Sequence, residues 1–253
     1  MEGPVRCGYL SRMQEGIFPG LMRKVSTPKD KSTMSRGDLK QLVAQGEGLR
    51  LEFKHRLPEP ERVVREVTAL ANTCGGYLLI GIADDGKIRG VKDPEEEIYA
   101  LNSALNQYCF PEVAVELERV KVSRTRTVVM VKTAISPMRP HYVRNPRSRD
   151  QCVFVRFEDM CIEASREARK LMYNSPDAEN VLIKLGAKER LLLKQLEQVG
   201  RVTVNGFAKY AKIHPGRASR IIVRMTRAKI LVHHIDLEED YFTAGAALLR
   251  ESA

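Results

Sequence analysis

Glu47-Gly48-Leu49-Arg50-Leu51-Glu52-Phe53-Lys54 opens the stretch that decides the fold, and Ala71-Asn72-Thr73-Cys74-Gly75-Gly76-Tyr77-Leu78-Leu79-Ile80-Gly81-Ile82-Ala83-Asp84-Asp85-Gly86 closes it. In the first piece Leu49, Leu51 and Phe53 alternate with Arg50, Glu52 and Lys54, the period of a half-buried strand. Glu52 lies on its polar face and Glu47 at its start. Between the pieces Val63, Val64, Val67, Leu70 and Ala71 recur at helical spacing, so a helix crosses from one strand to the next. Gly75 and Gly76 suit the turn that ends it, because glycine takes positive φ without steric penalty. Residues 77–82 form an apolar run of strand length, which predicts a strand covered on both faces. Asp84-Asp85-Gly86 then reads as a hairpin turn. Two glutamates on one strand and two aspartates at the mouth of another are expected to meet.

Outward from this unit, a short helix is expected over 38–45, with Leu39, Leu42 and Val43 on one face and Gly46 as its stop. A helix over 94–108 puts Ile98, Leu101, Leu105 and Tyr108 on one side. Glu95, Glu96 and Glu97 favour its N-terminus electrostatically. Strands over 113–122 and 127–133 make a hairpin through the basic turn 123–126. A loop over 137–150, a strand over 152–157 and a closing helix over 164–172, capped near Ser165, complete this part. Asn174-Ser175-Pro176-Asp177 reads as a linker.

From Ala187 the texture changes. A helix over 188–199 turns Leu191, Leu192, Leu196 and Val199 inward, and a short strand over 202–204 leads to a helix capped by Asn205. His214-Pro215-Gly216 turns into a third helix over 217–228, with Ile221, Ile222 and Met225 inward. Segments 231–235 and 241–243 form a ribbon. The order is similar to a winged helix, whose third helix would present Arg217, Ser219, Arg220, Arg224 and Arg227 outward to nucleic acid.

The net charge of +10 points to a polyanionic partner. Residues 184–253 hold 13 Lys and Arg against 7 Asp and Glu, and residues 1–34 hold 6 against 3, so the surplus lies mostly outside the middle of the chain. No run of ~18 apolar residues would span a membrane. Cys7, Cys74, Cys109, Cys152 and Cys161 are scattered without a Cys-x-x-Cys pair, which fits small buried side chains in a reducing cytoplasm. Residues 1–34 show no sustained periodicity and read as a flexible basic arm. The arm lacks a secretory apolar core, and its acidic residues disfavour an organelle presequence. Met34 stands just ahead of the core as an alternative start.

Three groups of residues carry chemistry. The carboxylates of Glu47, Glu52, Asp84 and Asp85, brought together, would suit a divalent cation such as Mg²⁺ or Mn²⁺. That metal would polarise a phosphoryl oxygen, and Lys54 would neutralise developing charge. The plain alternative is a solvated strand face and a turn. A second group, Arg139, His141, Tyr142, Arg144, Arg147 and Arg149, interleaves basic groups with an aromatic ring, as phosphate contact and base stacking require. There His141 either acts chemically or pins the loop. The third group is the arginine set of the C-terminal helix. Gly81 to Lys87 also satisfies the G-x4-G-K part of a phosphate loop, but Ile88 replaces the expected Ser or Thr and two aspartates would repel a phosphate, which argues against ATP.

In consistent order over roughly residues 35–173, the blocks GEGLRLEFK, ALANTCGGYLLIGIADDGKIRGV, RPHYVRN and VFVRFEDMCIEAS resemble the Schlafen AlbA-type domain, once labelled a divergent AAA ATPase. The resemblance implies an α/β (α+β) protein with a mixed-sheet AlbA-like core. Its RNA-cutting members use two glutamates five positions apart and an aspartate after the glycine-rich strand. Glu47, Glu52 and Asp84, with Asp85 as substitute for the last, are the positions that match as metal ligands, although Ala83 stands where some relatives carry an aspartate. Related blocks also read Pro-His-Tyr, like Pro140-His141-Tyr142. Long family members join two such lobes around a cleft, so a single lobe would need a homodimer. The expected division is an arm (1–34), a core (35–173), a linker (174–186) and a winged-helix domain (187–250). The leading expectation is a cytoplasmic DNA-binding transcriptional regulator. The competing reading is a metal-dependent endoribonuclease acting on tRNA-like structured RNA, and the third is a protein-interaction module.

Overall fold

The computed structural model describes residues 34–144, 151–173 and 185–245. The expected arm except Met34, most of the linker, and Arg147 and Arg149 lie outside the described residues. Helix α1 (Arg36–Val43) begins with a reciprocal cap: Ser35 Oγ accepts from the Asp38 amide, and the Asp38 carboxylate accepts from the Ser35 amide, each at 3.1 Å.

Strand β1 (Leu51–Lys54), helix α2 (Pro60–Asn72) and strand β2 (Gly76–Ile80) form a strand–helix–strand unit with parallel pairing, Leu51 opposite Tyr77 and Lys54 opposite Ile80. The return from α2 needs glycine. Gly76 has φ +149°, and a Cβ there would sit 2.2 Å from the Arg50 carbonyl oxygen. Helix α3 (Pro94–Tyr108) follows, its first amides held by the Asp93 carboxylate. Then come β3 (Cys109–Phe110), β4 (Val115–Lys121), β5 (Thr127–Thr133), β6 (Tyr142–Arg144), β7 (Gln151–Phe157), β8 (Met160–Glu163) and helix α4 (Arg166–Met172). One mixed sheet has the order β1-β2-β5-β4, and an antiparallel sheet has the order β3-β6-β7-β8.

Both faces of the mixed sheet are covered, as the apolar run of β2 predicts. Leu78 and Ile80 pack with Val129 and Val131 beneath α2 and α3. Leu79 packs with Leu51, Phe53, Val128 and Met130 beneath α1. The alternation of β1 is as expected, but its polar face does not meet water. Glu52 points into the layer occupied by α2 and is buried. Helix α2 lies between the two sheets, so Val63, Val64, Val67, Ala69, Leu70 and Ala71 all reach zero exposure.

Three strands depart from the sequence reading, the first being β3, which falls between the helix expected to end at 108 and the strand expected to start at 113. Residues 142–144 were expected within a loop, yet β6 bridges β3 and β7. Strand β8, which pairs with β7, had no expected counterpart. Polar residues satisfy an antiparallel ladder as well as apolar ones, because the ladder bonds are backbone bonds.

The C-terminal residues form α5 (Ala187–Val199), β9 (Val202–Thr203), α6 (Val204–Ala211), α7 (Pro215–Arg227), β10 (Leu231–His234) and β11 (Tyr241–Ala244), with sheet order β10-β11-β9. Leu192, Leu196, Phe207, Ile222, Met225 and Phe242 make their common core. Thr203, not Asn205, caps α6, its hydroxyl accepting from the Gly206 amide at 3.0 Å. Val199, expected inward, is exposed at the helix end. Helix α4 packs against α7, and its Leu171 joins this C-terminal core.

Candidate functional site

The expected carboxylate set does not assemble. Glu52 accepts from Arg156 Nη1 at 2.8 Å, and the same nitrogen donates to Glu66 at 3.0 Å. Arg156 Nη2 donates to the carbonyls of Gly48 and Asp159, at 2.7 and 3.0 Å. The second oxygen of Glu52 pairs with Lys54. Arg156 is 1% exposed, and the cluster closes two carboxylates with two cations. A guanidinium thus sits on the carboxylate that was expected to hold a metal. Burial, and then the charge of Glu52, push the Glu66 carboxyl above the ordinary glutamate value.

Glu47 is exposed, and its carboxylate accepts from the Phe53 amide at 2.9 Å. Asp84 lies exposed in a turn closed by the Ile82–Ile88 bridge. Its neighbour Asp85 pairs with Lys87, and those hydrogen bonds hold its carboxyl below the usual range. Among the described residues no group of three or more His, Cys, Asp or Glu is arranged to hold a metal ion. Glu47, Glu52 and Asp84 in this geometry therefore do not fit Mg²⁺ or Mn²⁺, and Lys54 neutralises Glu52. The Gly81–Lys87 segment starts no helix; α3 begins only at Pro94.

His141 is fully buried. Its Nδ1 lies 2.8 Å from the Pro111 carbonyl, so that nitrogen carries the proton. Burial pushes its pKa down, with the Pro111 hydrogen bond opposing. The Asn72 side chain binds this segment on both sides. Its amide nitrogen donates to the carbonyls of His141 and Phe154, both at 3.0 Å, while its oxygen accepts from the His141 amide at 2.8 Å. Thr73 Oγ1 accepts from the Arg156 amide at 2.9 Å. His141 is thus tied into the fold through its backbone and its Nδ1.

The rest of the expected basic loop is divided. Tyr142 is half-buried against Val153, Val155 and Ala168, and its hydroxyl hydrogen-bonds that of Tyr173, so the ring is no open stacking platform. Burial and that bond push its pKa up to about 12. Arg139 is half-buried. Arg144 is exposed, its guanidinium 5.1 Å from the ring centre of the exposed Phe110. The Cys109 and Cys161 thiols are each pushed up to about 12, chiefly by burial, which keeps them protonated.

Helix α7 carries the exposed positive charge. Arg217, Arg220 and Arg224 follow one another at helical spacing and are exposed, Arg224 also pairing with Glu189 on α5. Ser219, expected outward, is 2% exposed and bonded to Glu167 and Lys170 of α4. Arg227 is half-buried and donates to the Lys170 carbonyl at 2.8 Å. The helix therefore has three stripes: one in its own core, one against α4, one in water. Sequence reasoning missed Arg156, Glu66 and Asn72. The available signals were a charged residue inside the strand run Val153-Phe154-Val155-Arg156-Phe157 and a carboxylate within the apolar stripe Val63, Val67, Leu70.

Residues 47–165, just under half of the chain, match the family model described as Schlafen, AlbA_2. That stretch is similar to the AlbA_2-type domain, in keeping with the resemblance. No curated protein matches this chain. Among solved structures, the DIP2311 protein from Corynebacterium diphtheriae is similar at 20% identity and a TM-score of 0.37; the match covers 52% of this chain and 30% of that one. No helix of the described residues is long and apolar enough to cross a membrane.

Proposed function

We propose that the protein binds nucleic acid and acts as a DNA-binding regulator, with the C-terminal elements working as a winged helix and α7 as the helix that meets the duplex. The exposed stripe Arg217, Arg220 and Arg224 carries this reading. Guanidinium groups at the surface are weakly committed to the protein and suit phosphate oxygens and the base edges of a major groove. The helix–strand–helix–helix–ribbon order, the net charge of +10 and the AlbA_2-type domain support it further.

Metal-dependent RNA cleavage has less support from the side chains, because Arg156 and Lys54 already occupy Glu52. A cleft built by two copies of the AlbA_2-type domain is the accompanying proposal, and sedimentation of the purified chain reads it directly. The test of the main reading is fluorescence anisotropy with labelled duplex DNA and structured RNA at rising salt. Binding should weaken steeply with salt, and Arg217→Ala, Arg220→Ala and Arg224→Ala combined should abolish it. Binding that ignores the triple substitution would overturn the assignment. Incubation with Mn²⁺ should leave the nucleic acid intact; cutting lost in Glu52→Ala would make the protein a nuclease instead.

A further inference from the structure

Helix α7 does not stand alone. Its Ser219 stripe lies on α4, the last helix of the core: Lys170 Nζ donates to Ser219 Oγ at 2.8 Å, Ser219 Oγ donates to Glu167, and Arg227 Nη2 donates to the Lys170 carbonyl at 2.8 Å. Nearby, the Ser165 hydroxyl donates to Asp240, which also pairs with His233 at the ribbon. The chain thus fixes α4 beside α7 through side chains from both.

The charges at this seam are unbalanced. Around the Lys170 ammonium stand Arg166 from α4 and Arg220 and Arg227 from α7, with Glu167 alone of opposite sign. Partial burial and then the charge of Arg166 push the Lys170 pKa down, with Arg220 and Arg227 acting the same way and Glu167 opposing. Arg166 and Arg220 are exposed, while Lys170 and Arg227 are half-buried. Like charges that outnumber the carboxylate beside them repel one another, and an arriving phosphate relieves that repulsion. The positive series continues along α7 through Arg217 and Arg220 at intervals of about 5 Å, one helical turn. A series suits a repeating anion better than a single one.

We propose that α4 and α7 form one composite surface for the phosphate backbone of duplex DNA, to which Arg166 and Lys170 of the core contribute alongside Arg217 and Arg220. This rests on the nucleic-acid reading above and adds to it that the two parts of the chain grip the same duplex. On this geometry α7 reaches the duplex with α4 at its side, so the core sets the angle at which the helix approaches.

The test is anisotropy of the full chain with labelled duplex DNA over a salt series, for wild type, Arg166→Ala, Arg220→Ala and the control Arg124→Ala. Arg124 is exposed in the turn between β4 and β5, away from both helices in sequence. Arg166→Ala and Arg220→Ala should each weaken binding severalfold and lower the slope of log affinity against log salt by about 1, with Arg124→Ala unchanged. Loss in Arg220→Ala with Arg166→Ala at the wild-type value would overturn the composite surface and leave the nucleic-acid reading standing. Equal losses in all three would overturn it as well, since net charge alone would then explain them. Absence of salt-dependent binding by wild type would remove the nucleic-acid reading itself.

Discussion

Arg156 and Arg220 carry the same guanidinium in opposite settings. Arg156 is shut between Glu52 and Glu66 with four hydrogen bonds from its terminal nitrogens, while Arg220 reaches water from the side of α7. Desolvating an ion is repaid only when partners surround it, and a charge so held is not released for a ligand. An exposed arginine has no such commitment, and its pairing energy is small. The position of a charge, not its presence, separates a group that holds the fold from one that meets a partner.

The comparison breaks most sharply at Arg156. Arg156→Ala should lose about 3–5 kcal/mol in urea unfolding, because two carboxylates would be left buried with Lys54 alone. A loss under ~1 kcal/mol would mean the cluster is solvated after all. Asn72→Ala comes next, at about 3 kcal/mol, since it strands buried backbone groups of His141 and Phe154. A smaller effect belongs to Glu66. Its carboxyl titrates above its unfolded value, so its contribution to stability is greatest below the ordinary value of 4.5 and is lost as pH rises through the folded value. Wild type should therefore gain on Glu66→Gln as pH falls toward 4.5, and a difference independent of pH would remove the buried-carboxyl argument. At the other pole, Arg217→Ala and Arg220→Ala should shift stability by no more than about 0.5 kcal/mol while affecting nucleic-acid binding.

The strand–helix–strand unit around Glu47–Gly86 was legible because its signals are local: alternation in β1, helical spacing in α2 and a glycine pair at the return. The covered faces of β2 followed from its apolar run. The role of Glu52 was not legible, since its partner Arg156 lies far along the chain and alternation reports only which face a side chain shares. What covers that face depends on tertiary packing. Ser219 failed for a related reason. A helical wheel divides α7 into an inner and an outer side, whereas the folded chain gives it two packed neighbours and one wet stripe. Strand β6 was hidden because its short run, Tyr142–Arg144, is too brief to display a strand period, although the backbone of Tyr142 and Val143 pairs on both edges.

The close approach at Gly76 offers a practical rule for surveying other sequences. Any side chain at that position would overlap the Arg50 carbonyl and force β1 away from β2. A chain that reproduces the apolar pattern of residues 47–82 but bears a bulkier residue at the second glycine should be set aside as a different architecture, however good the rest of its alignment looks.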